Sequence, residues 1–75
     1  MSSLAELSVG GRGRVVQVTG DDDLSIRLLE MGLTPGVEVE FIGTAPLGDP
    51  LEMKLRGYRL SLRRDEAARV EIEPL

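Results

Sequence analysis

Short runs of alternating apolar and polar residues, one brief apolar helical stretch and a length of 75 residues together predict a mainly β fold. The expected architecture is a small SH3-like, partly open β-barrel of about five strands, with one short α-helix inserted over residues 24–31. Alternation is what half-buried strands require, because successive side chains point to opposite faces. The length is too small for a two-sheet sandwich, so residues 1–75 read as a single domain. A chain of this size buries only about 60–65% of its unfolded surface. It has no cysteine for a disulfide, and neither histidine nor cysteine for a structural zinc. Packing alone must hold it. An OB-like barrel is the nearest rival architecture.

The first segment, with Leu4, Leu7 and Val9, reads as an edge strand or a turn of helix. Gly10-Gly11-Arg12-Gly13 is a breaker cluster. Its G-x-G spacing lacks the preceding strand and following long helix of a dinucleotide-binding unit, so it reads as a turn. Arg14 to Thr19 is rich in β-branched residues and predicts a strand. Val15 and Val16 are adjacent, which breaks the alternation and implies a bulge or burial on both faces. Gly20-Asp21-Asp22-Asp23 then ends the strand and opens the helix. Three consecutive aspartates cannot converge on one ion, whereas aspartate is a favoured N-cap and suits the first helical turn. Capping is the reading adopted.

Leu24 to Met31 is a helix of about two turns, with Leu24, Leu28 and Met31 in one stripe and Ile26 and Leu29 outside it. Gly32 is placed as the C′ residue, where a left-handed conformation suits glycine. Pro35-Gly36 are the central pair of a type II turn, proline pre-setting φ and glycine accepting a positive one. Val37, Val39 and Phe41 then alternate with Glu38 and Glu40 in a second strand.

Gly43 to Pro50 predicts a loop of about eight residues, longer than a hairpin requires. Leu47 near its middle either plugs the core or makes a contact. The cleanest alternation follows: Leu51, Met53 and Leu55, then Tyr58, Leu60 and Leu62 beyond an Arg56-Gly57 turn. Pairing Leu55 with Tyr58 puts Met53 beside Leu60 and Leu51 beside Leu62, and a register shifted by two keeps the same faces. The arginines at 56, 59, 63 and 64 read as a solvated strand face, balanced by Glu52, Glu66 and Glu71. Asp65 to Ala68 is a single helical turn. Arg69 to Glu73 is a last strand, with Val70 and Ile72 inward.

Several functions are disfavoured by composition. The net charge of −4 and pI near 4.7 argue against nucleic acid or an anionic membrane surface as partner. Phe41 and Tyr58 are the only aromatic residues, too few for a base-stacking platform. No apolar run reaches the roughly 20 residues of a membrane span. Met1 to Glu6 lacks the basic and apolar regions of a signal peptide, so a cytoplasmic protein is expected. Without histidine or cysteine there is no Ser-His or Cys-His pair, and the glutamate pairs at 38/40 and 71/73 belong on outward faces. A non-enzymatic binding module with no cofactor and no metal site is expected.

Three stretches carry a family resemblance: Leu28-Leu29-Glu30-Met31-Gly32-Leu33-Thr34-Pro35-Gly36-Val37, Ala45-Pro46-Leu47-Gly48-Asp49-Pro50, and Arg56-Gly57-Tyr58-Arg59-Leu60-Ser61-Leu62-Arg63. In this order and spacing they resemble the FeoA family, small cytoplasmic accessory proteins of bacterial ferrous iron transport, over roughly residues 4–73. The resemblance implies an SH3-like barrel and a partner: FeoB, the membrane transporter with a cytoplasmic GTP-binding domain. The domain is also similar to the carboxy-terminal domain of iron-dependent repressors. Absence of a preceding helix-turn-helix and the acidic charge favour the free-standing accessory protein over that metal-responsive alternative. A two-turn helix on a small barrel cannot normally bury every side, so this one is either wedged across an open end of the barrel or turns one apolar strip to a partner, and both can hold. The docking surface is therefore expected at Leu28, Met31 and Leu33, with Leu47 and Tyr58 nearby.

Overall fold

The computed structural model describes residues 2–75; Met1, the first residue of the segment read as lacking a leader, lies outside them. Six strands form one antiparallel sheet in the order β1-β6-β2-β3-β4-β5. They are β1 (Ser2–Ser3), β2 (Arg12–Val18), β3 (Glu38–Thr44), β4 (Leu51–Leu55), β5 (Tyr58–Leu62) and β6 (Val70–Pro74). Helix α1 (Asp23–Glu30) joins β2 to β3, and the short α2 (Arg64–Ala67) joins β5 to β6. The mainly β expectation holds, with one strand more than the five expected. The addition is the two-residue β1, which pairs with β6 through Ser2–Ile72 and Ser3–Glu71. A 3-10 turn at Leu4–Glu6 follows it and buries Leu4.

Local chemistry accounts for most boundaries. In β2 the pairing with β6 shifts between Val15 and Gln17. This bulge explains the adjacent valines: Val15 is buried and Val16 is exposed. Strand β2 begins two residues earlier than expected, inside the breaker cluster. Only its first part turns, with the Gly11 N–H donating to the Ser8 carbonyl at 2.8 Å. Gly13 is instead a buried strand position, where a Cβ would overlap Cδ1 of Ile72 on β6. The residue is small because two strands pack tightly there.

Strand β3 runs on to Thr44, with a register shift between Phe41 and Gly43, and so leaves a shorter loop than expected. In the β4–β5 hairpin Leu51 faces Leu62, Met53 faces Leu60 and Leu55 faces Tyr58. This is the tighter of the two registers open from sequence. Arg56 and Gly57 both take positive φ (50° and 84°), the requirement of a type I′ connection between twisted strands. The core is continuous through Val15, Leu28, Leu33, Val39, Met53, Leu55, Leu62 and Ile72, all at most 2% exposed.

Candidate docking surface

Helix α1 is held firmly at both ends. Asp22 is its N-cap: the carboxylate accepts from the Ser25 N–H at 3.3 Å, and the Ser25 hydroxyl donates to the Asp22 carbonyl at 2.7 Å. Arg69, just before β6, donates to the same carboxylate at 2.6 Å. The Arg69 hydrogen bond, helped by the Ser25 N–H, lowers the Asp22 pKa from its ordinary value near 3.8. The capping reading of the aspartates holds for Asp22. Among the described residues no group of three or more acidic side chains is arranged to hold a metal ion.

At the other end the Leu33 N–H donates to the Leu28 carbonyl at 3.3 Å, and the Gly32 N–H to the Leu29 carbonyl at 3.0 Å. Together these form a Schellman motif with Gly32 at C′ (φ 104°). The motif brings the side chains at C3 and C″ together, here Leu28 and Leu33. Thr34 to Val37 then turn, the Val37 N–H donating to the Thr34 carbonyl at 3.2 Å with Gly36 at φ 93°. That is the expected type II geometry.

The Schellman contact changes the picture of the site. Leu28 and Leu33 are 0% exposed and belong to the core, so their side chains offer nothing to a partner. The physical reason is the motif itself, which folds the residue after the glycine back under the last turn of the helix. The surplus apolar surface lies one step round the helix. Ile26 is 53% and Leu29 39% exposed, and being three residues apart they share a strip. Met31 is half-buried beside the core. Sequence reasoning noted Ile26 and Leu29 as lying off the buried stripe; that signal identifies the exposed face.

Tyr58 lies at this corner, beside the helix exit. It is 42% exposed, and its hydroxyl donates to the Met31 carbonyl at 2.5 Å. A Cβ on Gly32 would overlap that hydroxyl, so the glycine serves both φ and the approach of the ring. The phenol thus ties β5 to the helix exit while part of its ring stays exposed.

Leu47 is not a plug: it is 97% exposed. Its turn is nonetheless ordered. The Gly48 N–H donates to the Ala45 carbonyl at 2.8 Å, the Arg64 side chain donates to the Gly48 carbonyl at 2.9 Å, and Asp49 accepts the Arg64 N–H at 2.9 Å. Leu47 is therefore held by the start of α2 rather than by α1.

The chain is thus a small, mainly β domain: one six-stranded antiparallel sheet with a capped helix that carries an exposed apolar strip. The comparisons with known proteins place it further. The FeoA domain family model matches residues 2–74, and the chain belongs to that family. It is 39% identical over 70 residues to an Fe(2+) transport protein A/Fe(2+) transporter FeoB fusion protein of Porphyromonas gingivalis, covering 93% of this chain and 8% of that one. The chain thus spans under a tenth of that relative's length. Among solved structures, a FeoA-like protein from Clostridium acetobutylicum matches with a TM-score of 0.91 and 34% identity, covering 99% of this chain and 86% of that one. Stenotrophomonas maltophilia FeoA complexed with zinc, described as a prokaryotic SH3 domain protein, matches with a TM-score of 0.85 and 31% identity, covering 97% and 91%.

Proposed function

We propose that this chain is a cytoplasmic, non-enzymatic accessory domain of ferrous iron uptake that docks on the FeoB membrane transporter and regulates it. The observation that carries the reading is the fusion relative, in which a homologous segment and an FeoB transporter share one polypeptide. Two proteins joined in one chain work at high effective concentration, which favours direct contact between them. The Stenotrophomonas maltophilia protein, described as possibly a ferrous iron transport activating factor, supports a regulatory role. No helix among the described residues is long and apolar enough to cross a membrane, consistent with docking from one side.

The surface that fits this role is the outer face of α1 and its exit: Ile26, Leu29 and Met31, with the exposed part of Tyr58. Leu47 provides a second apolar contact on its own ordered turn. Interfaces are centred on such apolar and aromatic groups. The test is binding of the chain to the detergent-solubilised transporter. Ile26→Ser with Leu29→Ser is expected to weaken binding at least about tenfold, the scale of losing part of a hot spot, with the fold retained. Unchanged affinity in this double variant, or no binding by the parent chain, overturns the reading.

A further inference from the structure

Strand β5 ends the strand order, so one of its edges has no neighbouring strand in the sheet. An open edge presents N–H and C=O groups that can pair with another extended chain. Two observations define the chemistry of that chain. The first is register. Arg12 lies opposite Glu40, Glu40 opposite Lys54, and Lys54 opposite Arg59. This row therefore crosses four strands as plus, minus, plus, plus, ending at Arg59 on the open edge. Like charges directly opposite one another are unfavourable. The neighbouring row, Glu73–Arg14–Glu38, alternates throughout and forms ion pairs at 3.5 and 3.8 Å.

The second observation concerns the three glutamates expected to balance this hairpin. Glu52 accepts from the Ser61 hydroxyl on β5, Glu66 from the Arg63 backbone N–H, and Glu71 from Gln17 on β2, so none of them forms an ion pair with an arginine of the hairpin. Among the described residues the ion pairs involve Arg14 and Arg69 alone. Arg56, Arg59 and Arg63 are exposed, and none of them is in an ion pair. The long open strand of an acidic protein thus ends a charge row on two adjacent cations, Lys54 and Arg59, and carries arginines that form no ion pair.

We propose that the free edge of β5 receives an extended acidic segment of a partner protein, which adds as a further strand. One of its carboxylates lies opposite Arg59, completing the alternation of the charge row, and another four residues along reaches Arg63. Between them, apolar side chains on the other face of the added strand meet half-buried Leu60. Two-fold pairing of β5 with a second copy centred on Arg59 or Ser61 would set arginine opposite arginine, so the edge charges disfavour those registers and favour an acidic partner. This edge meets the apolar face of α1 only at Tyr58, and the proposal does not rest on the transporter assignment.

The test is an amide NMR titration of the whole chain with a short capped peptide alternating valine and glutamate, and with its valine–lysine counterpart. The glutamate peptide is expected to shift the Tyr58–Leu62 amides and slow their hydrogen exchange, with no response to the lysine peptide. Arg59→Glu with Arg63→Glu, both exposed positions, is expected to weaken the glutamate peptide at least about tenfold and to gain binding of the lysine peptide. Absence of any response at β5, shifts confined to another element, or unchanged affinity in the charge-reversed variant overturns the proposal. So does equal affinity for a short polyphosphate, which would make the patch a polyanion site rather than a strand-addition edge.

Discussion

An alanine series along α1, at Ile26, Leu28 and Leu29, separates the residues that build the fold from those left exposed on its outer face. Leu28 is 0% exposed and packed against Leu33 through the Schellman motif. Leu→Ala substitutions at such sites cost about 3–5 kcal/mol, the sum of lost transfer energy and a residual cavity. A domain of this size has a total stability of roughly 4–11 kcal/mol, so Leu28→Ala removes about half of it. At about 4–8 °C per kcal/mol for a small domain, the midpoint of thermal unfolding falls by more than about 10 °C. Leu29 and Ile26, at 39% and 53% exposed, have surrendered only part of their surface to the protein. Full burial of such a side chain is worth about 1.5–3 kcal/mol, so each alanine costs about 1 kcal/mol, partly offset by alanine's helix propensity. Thermal unfolding followed by circular dichroism gives the ranking. A Leu28→Ala midpoint within a few degrees of the parent, or an Ile26→Ala loss as large as that of Leu28→Ala, would refute the assignment of inner and outer faces.

Two further outcomes follow from particular contacts. Gly13→Ala drives a Cβ into Cδ1 of Ile72 and is expected to destabilise by about 1–3 kcal/mol, as overpacking does; Ile72→Val, which removes that methyl group, should recover part of the loss in a double-mutant cycle read by urea denaturation. The Asp22 carboxylate, its pKa held below 3.8 in the folded state chiefly by Arg69, contributes stability that is complete above the unfolded pKa and is lost as pH falls through the folded one. Asp22→Asn should therefore flatten the stability profile on the acid side of about pH 4 and leave its slope near neutrality unchanged; a parallel acid limb in the two proteins would refute the linkage.

The local grammar of this chain was legible without coordinates. An aspartate cap within Asp21–Asp23, the stop at Gly32, the turn at Pro35-Gly36 and a β-hairpin with one buried face each follow from nearest-neighbour chemistry: which residue can accept an N–H, take a positive φ or alternate across a pleat. The apolar surplus of α1 was legible too, but not its direction. Periodicity marks Leu28 as facing inward and says nothing of how far a partner could reach it. The depth of Leu28 and Leu33 is decided by the backbone folding back after Gly32 and by the strands closing over both side chains. Likewise Tyr58 alternates as a core residue, yet its hydroxyl seeks a carbonyl, and only the placement of Met31 shows where it finds one. Gly13 looked like a turn residue because it closes the Gly10-Gly11-Arg12-Gly13 cluster, and the side chain of Ile72, distant in sequence, makes it a packing site. Charge balance on the hairpin was the least readable feature. Composition counts arginines and glutamates, whereas register and competing hydrogen bonds decide which of them meet. Chemistry within a few residues of itself was determined by the sequence. What a long-range contact covers, pairs or leaves exposed was decided by the tertiary structure, because burial and cross-strand pairing depend on residues far apart along the chain.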